Sequence, residues 1–471
     1  MARIVVLGGG FCGLAAGLML ARDDHEVTVL ERDLEQVPAS AEDAWERWPR
    51  EGVTQFRLPH FLAPGGRAVL EEELPDVLQG LVDAGGCQHN PAFPPTLADQ
   101  ERRPGDQRFS TVTARRPVME QVLGSVAERE SALRIRRGVT AASLLVEPVG
   151  ALPHVSGVRL DTGETITADL VVDAMGRRSR LPRWLEDAGV GPIEEEAEDS
   201  GFIYYGRYFR STDGSVPPLY APPLCPVGSF SILSLPSDNG TWAVGFVTAT
   251  GDKPLKELRH IDQWEAVLRA CPAHAHLLDG EPISEMLAMG GLVDRYRRLS
   301  PNGQPLLTGV ALLADAFSCT NPSLGRGISL GLMHARSLRD AVAAMDDDPL
   351  AFAEAWDLAT ESKHTPWYRE TLDEDRARLA EMEAIREGRE PPAPTDATVL
   401  RTALITAAMT DADLFRIFLD SRGCLSTIAA SLAEPEARAR VFELAAGKMP
   451  FAFPGPDREQ LADLLDGGGD A

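Results

Sequence analysis

Lysine is nearly missing from this chain of 471 residues. Only Lys253, Lys256, Lys363 and Lys448 occur, so arginine carries almost all of the positive charge, a bias that base composition of the genome accounts for. Asp and Glu number 71 against 46 Lys and Arg, a formal net charge of −25. Nucleic acids and anionic lipid surfaces are held by clustered cations that displace counterions, so neither partner is expected. The 6 cysteines (12, 87, 225, 271, 319 and 424) lack paired spacing, which excludes a disulfide framework and fits a reducing, cytoplasmic setting. Cys271, His274 and His276 lie close together without a second ligand pair, so they read as a helix start and no metal is expected. No apolar run reaches the length of a membrane span. The apolar stretch from Arg3 to Ala21 resembles a secretory signal, but three consecutive glycines interrupt it.

Those glycines belong to a different pattern. Ile4–Leu7 is a short apolar run suited to a buried parallel strand, and it ends at Gly8-Gly9-Gly10-Phe11-Cys12-Gly13. Leu14 to Ala21 carries helix formers, and Val27–Leu30 is a second β-branched run that closes on Glu31 and Arg32. Together they spell one βαβ unit. Gly8 permits the turn, Gly10 lets backbone approach a pyrophosphate, and Gly13 lets helix and strand lie close. Phosphates then face the free N–H groups of the helix start. Glu31 can accept from a ribose diol and would repel a 2′-phosphate. At this point FAD and NAD satisfy the site equally.

The length allows two or three packed units. A helix is expected over 65–80 and another opening at Arg116-Pro117. Strands with hairpin turns run from 133 to 170 and lead into Asp173-Ala-Met-Gly176-Arg-Arg-Ser179. Residues 201–249 have aromatic, alternating strands, with a hairpin across Asp238-Asn239-Gly240. This is an antiparallel sheet inserted into an α/β frame. A helix follows near 261–270, and 337–466 is largely helical with a Pro-rich break at 390–394.

The stretch 306–331 separates the cofactors. Leu312–Ala316 is a buried strand ending on Asp315, followed by Asn321-Pro322-Ser323-Leu324-Gly325-Arg326-Gly327-Ile328, a glycine-rich loop entering a helix. FAD needs such a stretch, because its ribityl chain wants a carboxylate and its ring, negative when reduced, wants a helix N-terminus.

With these motifs in order, the sequence resembles the aromatic-hydroxylase-like FAD monooxygenases, and in motif style the polyketide and squalene flavin epoxidases. The resemblance covers about residues 1–345. It implies a Rossmann-like FAD-binding domain (1–84, 105–195 and 296–345), an inserted antiparallel substrate domain (85–104 and 196–295) and a helical C-terminal region (346–471). The implied cofactor residues are Gly8, Gly10, Phe11, Cys12, Gly13, Glu31, Arg32, Arg50, Arg116, Asp173, Gly176, Asp315, Pro322, Gly325, Gly327 and Ile328. For Asp173 a turn-forming role is the equal alternative. Departures from the family pattern are Ala314 in place of Gly, no His in Phe317-Ser318-Cys319, and Ser329 in place of Asn.

The implied reaction is transfer of one oxygen atom from O2, through a flavin C4a-hydroperoxide, to a small-molecule organic substrate. Tyr205, Phe230 and Phe246 are the expected substrate contacts. No catalytic base can be named, and His60 reads equally as a structural hydrogen-bonder. There is no second glycine-rich βαβ unit, so either NAD(P)H binds without its own domain or a separate flavin reductase supplies electrons. A halogenase is disfavoured, since no lysine precedes Lys253 and Trp45 and Trp48 do not form Trp-x-Trp. A flavin reductase of the geranylgeranyl-reductase-like group and a flavin-free binding protein stay open, as do monomer and dimer.

Overall fold

The computed structural model describes residues 1–92, 102–344, 348–449 and 452–466. Part of the 85–104 segment assigned to the substrate domain therefore lies outside the described residues.

The βαβ unit forms as its sequence dictates. Strands Arg3–Leu7 and Glu26–Glu31 pair in parallel around helix Phe11–Arg22. They sit inside a five-stranded sheet whose order is Val310–Leu312, Leu170–Asp173, Arg3–Leu7, Glu26–Glu31, Leu133–Arg137, parallel throughout. Both faces of such a sheet are covered, which is why its strands are continuous apolar runs rather than alternating ones. Gly8 has φ +107°, and a Cβ there would lie 2.5 Å from the Ala174 carbonyl oxygen, so only glycine turns this corner.

The expected helix over 65–80 is two helices, Pro64–Glu73 and Pro75–Asp83. Pro75 has no N–H to give and its ring clashes with the preceding turn, so the chain bends at Leu74.

The second sheet is antiparallel, with Leu224–Val227, Phe230–Pro236, Thr241–Ala249 and Phe202–Arg210 side by side and Leu287–Met289 on the outer edge. Its hairpin turns at Asn239 (φ +52°) and Gly240 (φ +66°). Asp238 ties this turn to the start of helix Arg116–Arg129: its carboxylate takes the Arg115 main-chain N–H (2.7 Å) and two guanidinium nitrogens, with both side chains fully buried. One sheet face packs on helix Ile261–Arg269 through Phe230, Phe246 and Trp264.

The C-terminal region divides between the cores of the two sheets. Helix Thr365–Glu387 lies against both, with Arg378 donating to Ser231 Oγ and the Phe230 carbonyl and Arg326 ion-paired to Glu370. Helix Arg458–Asp466 adds Leu461 and Leu465 to the core under the second sheet. No helix among the described residues is long and apolar enough to cross a membrane.

Candidate active site

One cleft, of about 360 Å3, runs from the end of the first βαβ unit to the antiparallel sheet. Of the sixteen expected cofactor residues, all but Asp173 line it.

At the first end, Glu31 closes its strand with a buried carboxylate. Oε2 accepts from Gly9 N–H (3.0 Å) and Arg50 (3.0 Å), and Oε1 accepts from Asp33 N–H (2.9 Å). Arg50 is no free hand for a ligand. Its guanidinium also meets Asp33 (3.0 Å) and Glu120 (3.2 Å) with the side chain 2% exposed, so it holds Glu31 in position. Helix Phe11–Arg22 starts at Gly10 with no side-chain cap, leaving its first N–H groups turned to the cleft. A Cβ on Gly10 would meet nothing within 4 Å, so the loop leaves an open cradle there. Burial lifts the Cys12 thiol to about 12, which keeps it protonated.

Midway, Asp315 follows Ala314, which sits in the left-handed region at φ +52°. Ala314 N–H donates to His334 Nδ1 (3.1 Å). Burial raises the Asp315 carboxyl above its ordinary range, with Arg116 and Arg177 opposing. That carboxyl lines the cleft beside Gly176 and Arg116. Arg116 bonds Glu120 (2.8 Å) and His60 Nε2 (2.9 Å). Because a guanidinium only donates, Nε2 is the acceptor and Nδ1 carries the proton toward the Leu58 carbonyl (2.8 Å). Burial and Arg116 push His60 down to about 3, so it is a neutral positioning group. Pro322, Gly325, Gly327 and Ile328 bring helix Gly327–Ala343 end-on to the cleft.

Asp173 takes the turn-forming alternative. It is fully buried, accepting from Met175 N–H (3.0 Å) and Ser179 Oγ, and burial lifts it to about 6. It shapes the turn that presents Gly176.

The far wall corrects the expected substrate contacts. The rings of Phe230 and Phe246 stack edge-on at 5.2 Å, and Phe246 meets Trp264 at 5.6 Å, all on the sheet face turned away from the cleft. Tyr205 borders the cleft, but its ring packs with theirs. Side chains alternate along a strand, and the register puts the neighbouring set inward. Tyr204, Gly206, Leu233, Gly245, Leu287 and Met289 form the apolar wall, with Gly206 paired to Gly245.

No protein-family model matches the chain. In sequence it is 28% identical over 368 residues to protein Rv3254 of Mycobacterium tuberculosis, spanning 72% of this chain and 73% of that protein. It is 26% identical over 352 residues to a menaquinone reductase of Mycolicibacterium smegmatis, spanning 70% and 74%. Among solved structures it is similar to PqsL of Pseudomonas aeruginosa, a probable FAD-dependent monooxygenase (TM-score 0.56, 15% identity, 81% of this chain and 99% of that one). It is likewise similar to 2-methyl-3-hydroxypyridine-5-carboxylic acid oxygenase (0.53, 17%, 85% and 95%). The chain has the fold of the FAD-dependent monooxygenases. PyrE3, a Diels-Alderase of pyrroindomycin biosynthesis, is similar too (0.55, 15%, 95% and 82%). One fold thus carries more than one chemistry, and the site has to argue the reaction.

Two features of the cleft escaped sequence reasoning. His334 lines it from the helix after the glycine turn, six residues past Ile328, and Asp375 of the C-terminal helix bonds Asn321 on its wall. Neither carries a local signal. Arg32, Arg177, Arg178 and Arg180 line the mouth, and none pairs with a carboxylate among the described residues.

Proposed function

We propose that this chain binds FAD and oxygenates an uncharged, largely apolar organic molecule, inserting one atom of O2. The observation that carries the reading is the unbroken cleft from Glu31 past Asp315 to a wall of Leu233, Leu287, Met289 and the Gly206–Gly245 pair. Its residues fit the cofactor part by part. Glu31 and Arg32 take the adenosine, the Gly10–Gly13 N–H groups the pyrophosphate, and Arg116 with Asp315 the ribityl chain. The N-terminus of helix Gly327–Ala343 opposes the negative charge of a reduced ring. Bound and reduced, FAD supplies the electrons and activates O2.

The protein excludes water and orients the substrate. His60 is occupied as an acceptor, and the apolar wall offers no carboxylate or free imidazole. A substrate that must first lose a proton, such as a phenol, is poorly served, whereas a carbon–carbon double bond needs only correct orientation. Epoxidation is therefore the favoured oxygenation. Arg178 and Arg180 at the mouth, which pair with no carboxylate among the described residues, suit the phosphates of NAD(P)H, which favours reduction on this chain over a separate flavin reductase.

The menaquinone reductase relative favours a second reading, saturation of an isoprenoid double bond. Mass spectrometry separates the two. Purified protein reconstituted with FAD and given NADPH, O2 and polyprenyl alkenes should add 16 mass units, whereas a gain of 2 without oxygen would install the reductase. A colourless protein that cannot be reconstituted with FAD would sink both. Under anaerobic conditions NADPH should bleach the bound flavin; if only an added reductase does so, electrons come from a partner.

A further inference from the structure

The turn that brings helix Gly327–Ala343 to the cleft has little to hold its own shape. A main-chain bond from Gly325 N–H to the Pro322 carbonyl (2.9 Å) crosses it, and Gly325 sits in the left-handed region at φ +64°. Two glycines in one short turn leave many conformations open, so its shape is set by what its side chains grip.

Asn321, Pro322, Gly325, Gly327 and Ile328 line the cleft, whereas Ser323 and Arg326 bond to helix Thr365–Glu387. Ser323 Oγ donates to Asp375 Oδ1 (2.7 Å), and Asn321 Nδ2 donates to the same oxygen (3.0 Å). One turn earlier on that helix, Thr371 Oγ1 (3.0 Å) and Glu370 (2.9 Å) accept from the Arg326 guanidinium, which also lies 5.1 Å from the Trp367 ring centroid. Asn321 is held twice more: its Oδ1 accepts from the Tyr204 hydroxyl (2.6 Å), and its N–H donates to Asp294 (2.5 Å) on strand Val293–Arg298. Asn321 and Arg326 are each 2% exposed. Amide and charged groups buried so fully are costly without their partners, and that cost falls on any other arrangement of the turn.

We propose that Asn321 and Arg326 are positioning residues for the flavin ring, held by Asp375, Glu370 and Thr371 so that the turn presents the start of helix Gly327–Ala343 to the ring in one geometry; this rests on the FAD reading above. The region beyond 345, where the sequence resemblance stops, thereby completes the cofactor site. A helix start acts on charge over about one turn, so displacing it costs a negatively charged reduced ring more than a neutral oxidised one.

Asp375 needs only Oδ1 for this. Its Oδ2 is buried and has no hydrogen-bond partner among the described residues. An amide in place of the carboxyl therefore keeps both contacts, whereas a leucine of similar shape loses both.

Two measurements test the clamp. In Asp375→Leu the two-electron midpoint potential of bound FAD should fall by about 30 mV, equivalent to a roughly 10-fold loss of affinity for reduced relative to oxidised flavin, and in Asp375→Asn it should stay at the wild-type value. In flavin-free protein, hydrogen exchange across 321–331 should quicken roughly 10-fold in Asp375→Leu and not in Asp375→Asn. Ser323→Ala, which removes one of the two bonds, should move both readouts the same way by less, and it stands in if Asp375→Leu does not fold. Leu372→Ala is the control: Leu372 is on the same helix but packs in the core with Tyr296 and Tyr368, so its loss loosens the helix and should leave the potential unchanged. Wild-type potential and exchange in Asp375→Leu, equal damage in Asp375→Asn, or an equal fall in Leu372→Ala would each overturn the clamp. A wild-type protein that takes up no FAD would instead remove the functional reading, and the exchange rates would still decide whether the C-terminal helix holds the turn.

Discussion

Replacing Gly10 with alanine should raise the stability of the flavin-free protein and weaken flavin binding at the same time. Gly10 has φ −74° and ψ 178°, extended backbone that any residue adopts, and its Cβ would meet no atom within 4 Å. The substitution therefore costs nothing in the fold, while it narrows the unfolded ensemble, a gain of about 0.4–1 kcal/mol. The same methyl would stand where a pyrophosphate must approach the N–H groups of helix Phe11–Arg22. Losing one hydrogen bond to a charged group is worth about 1.5–3 kcal/mol, which converts to roughly 10- to 150-fold in Kd. Gly13 provides the contrast: its Cβ would lie 2.0 Å from the Gly8 carbonyl oxygen, so Gly13→Ala must damage the fold itself. Urea unfolding of the apoproteins reads the first quantity, and quenching of flavin fluorescence on titration reads the second. If Gly10→Ala binds FAD as tightly as the wild type, that loop is not the pyrophosphate cradle. If its apoprotein loses more than about 1 kcal/mol, the open space at Gly10 has been misread.

The Gly206–Gly245 pair should govern substrate access. Gly245→Ala meets only ordinary contacts, the nearest 3.4 Å away, whereas Gly245→Leu should project into the cleft and abolish turnover with FAD occupancy unchanged in the visible spectrum. Asp238→Ala leaves the fully buried Arg115 guanidinium with only the half-exposed Glu42 (3.2 Å) as a carboxylate partner and should cost about 3 kcal/mol in urea unfolding, whereas loss of the exposed Arg369–Glu196 pair should cost under about 1 kcal/mol. Stability should also fall with acidification below the unfolded imidazole range. Burial holds His60, His274 and His364 down at about 3, 4 and 4 and His334 lower still, so their stability, present above about pH 6.5, is lost as pH falls through those values. Asp173 and Asp294, lifted by burial to about 6, and Asp375, lifted to about 7, oppose this, because they hold protons in the fold and lose their stabilising effect as pH rises. Burial also lowers His25 and His89 and raises Asp315, so the imidazoles outnumber the opposing carboxyls, stability should fall on acidification from about pH 6 to about pH 5, and Asp375→Asn, which removes one opposing carboxyl, should steepen that fall in denaturant titrations.

The amino-acid sequence by itself determined the βαβ unit, the glycine turn at Gly325 and the acids Glu31 and Asp315. These rest on local chemistry: a strand, a turn needing glycine and a helix start follow one another within about thirty residues. It also determined that residues 201–249 form an antiparallel sheet, since alternation and the Asn239-Gly240 turn are local as well. Only the tertiary structure decided which sheet face meets the cleft. Tyr204 and Tyr205 are both aromatic and both buried, and a shift of one residue exchanges the two faces, so composition cannot choose between Tyr204 and the Tyr205, Phe230 and Phe246 set. The roles of Arg50, Asp173 and Asp375 were decided at the same level. Arg50 satisfies carboxylates 19, 17 and 70 positions away, Asp173 a turn, and Asp375 a loop more than fifty residues earlier. A buried charge or proton is set by whatever packs around it, and those neighbours are brought together only when the chain folds.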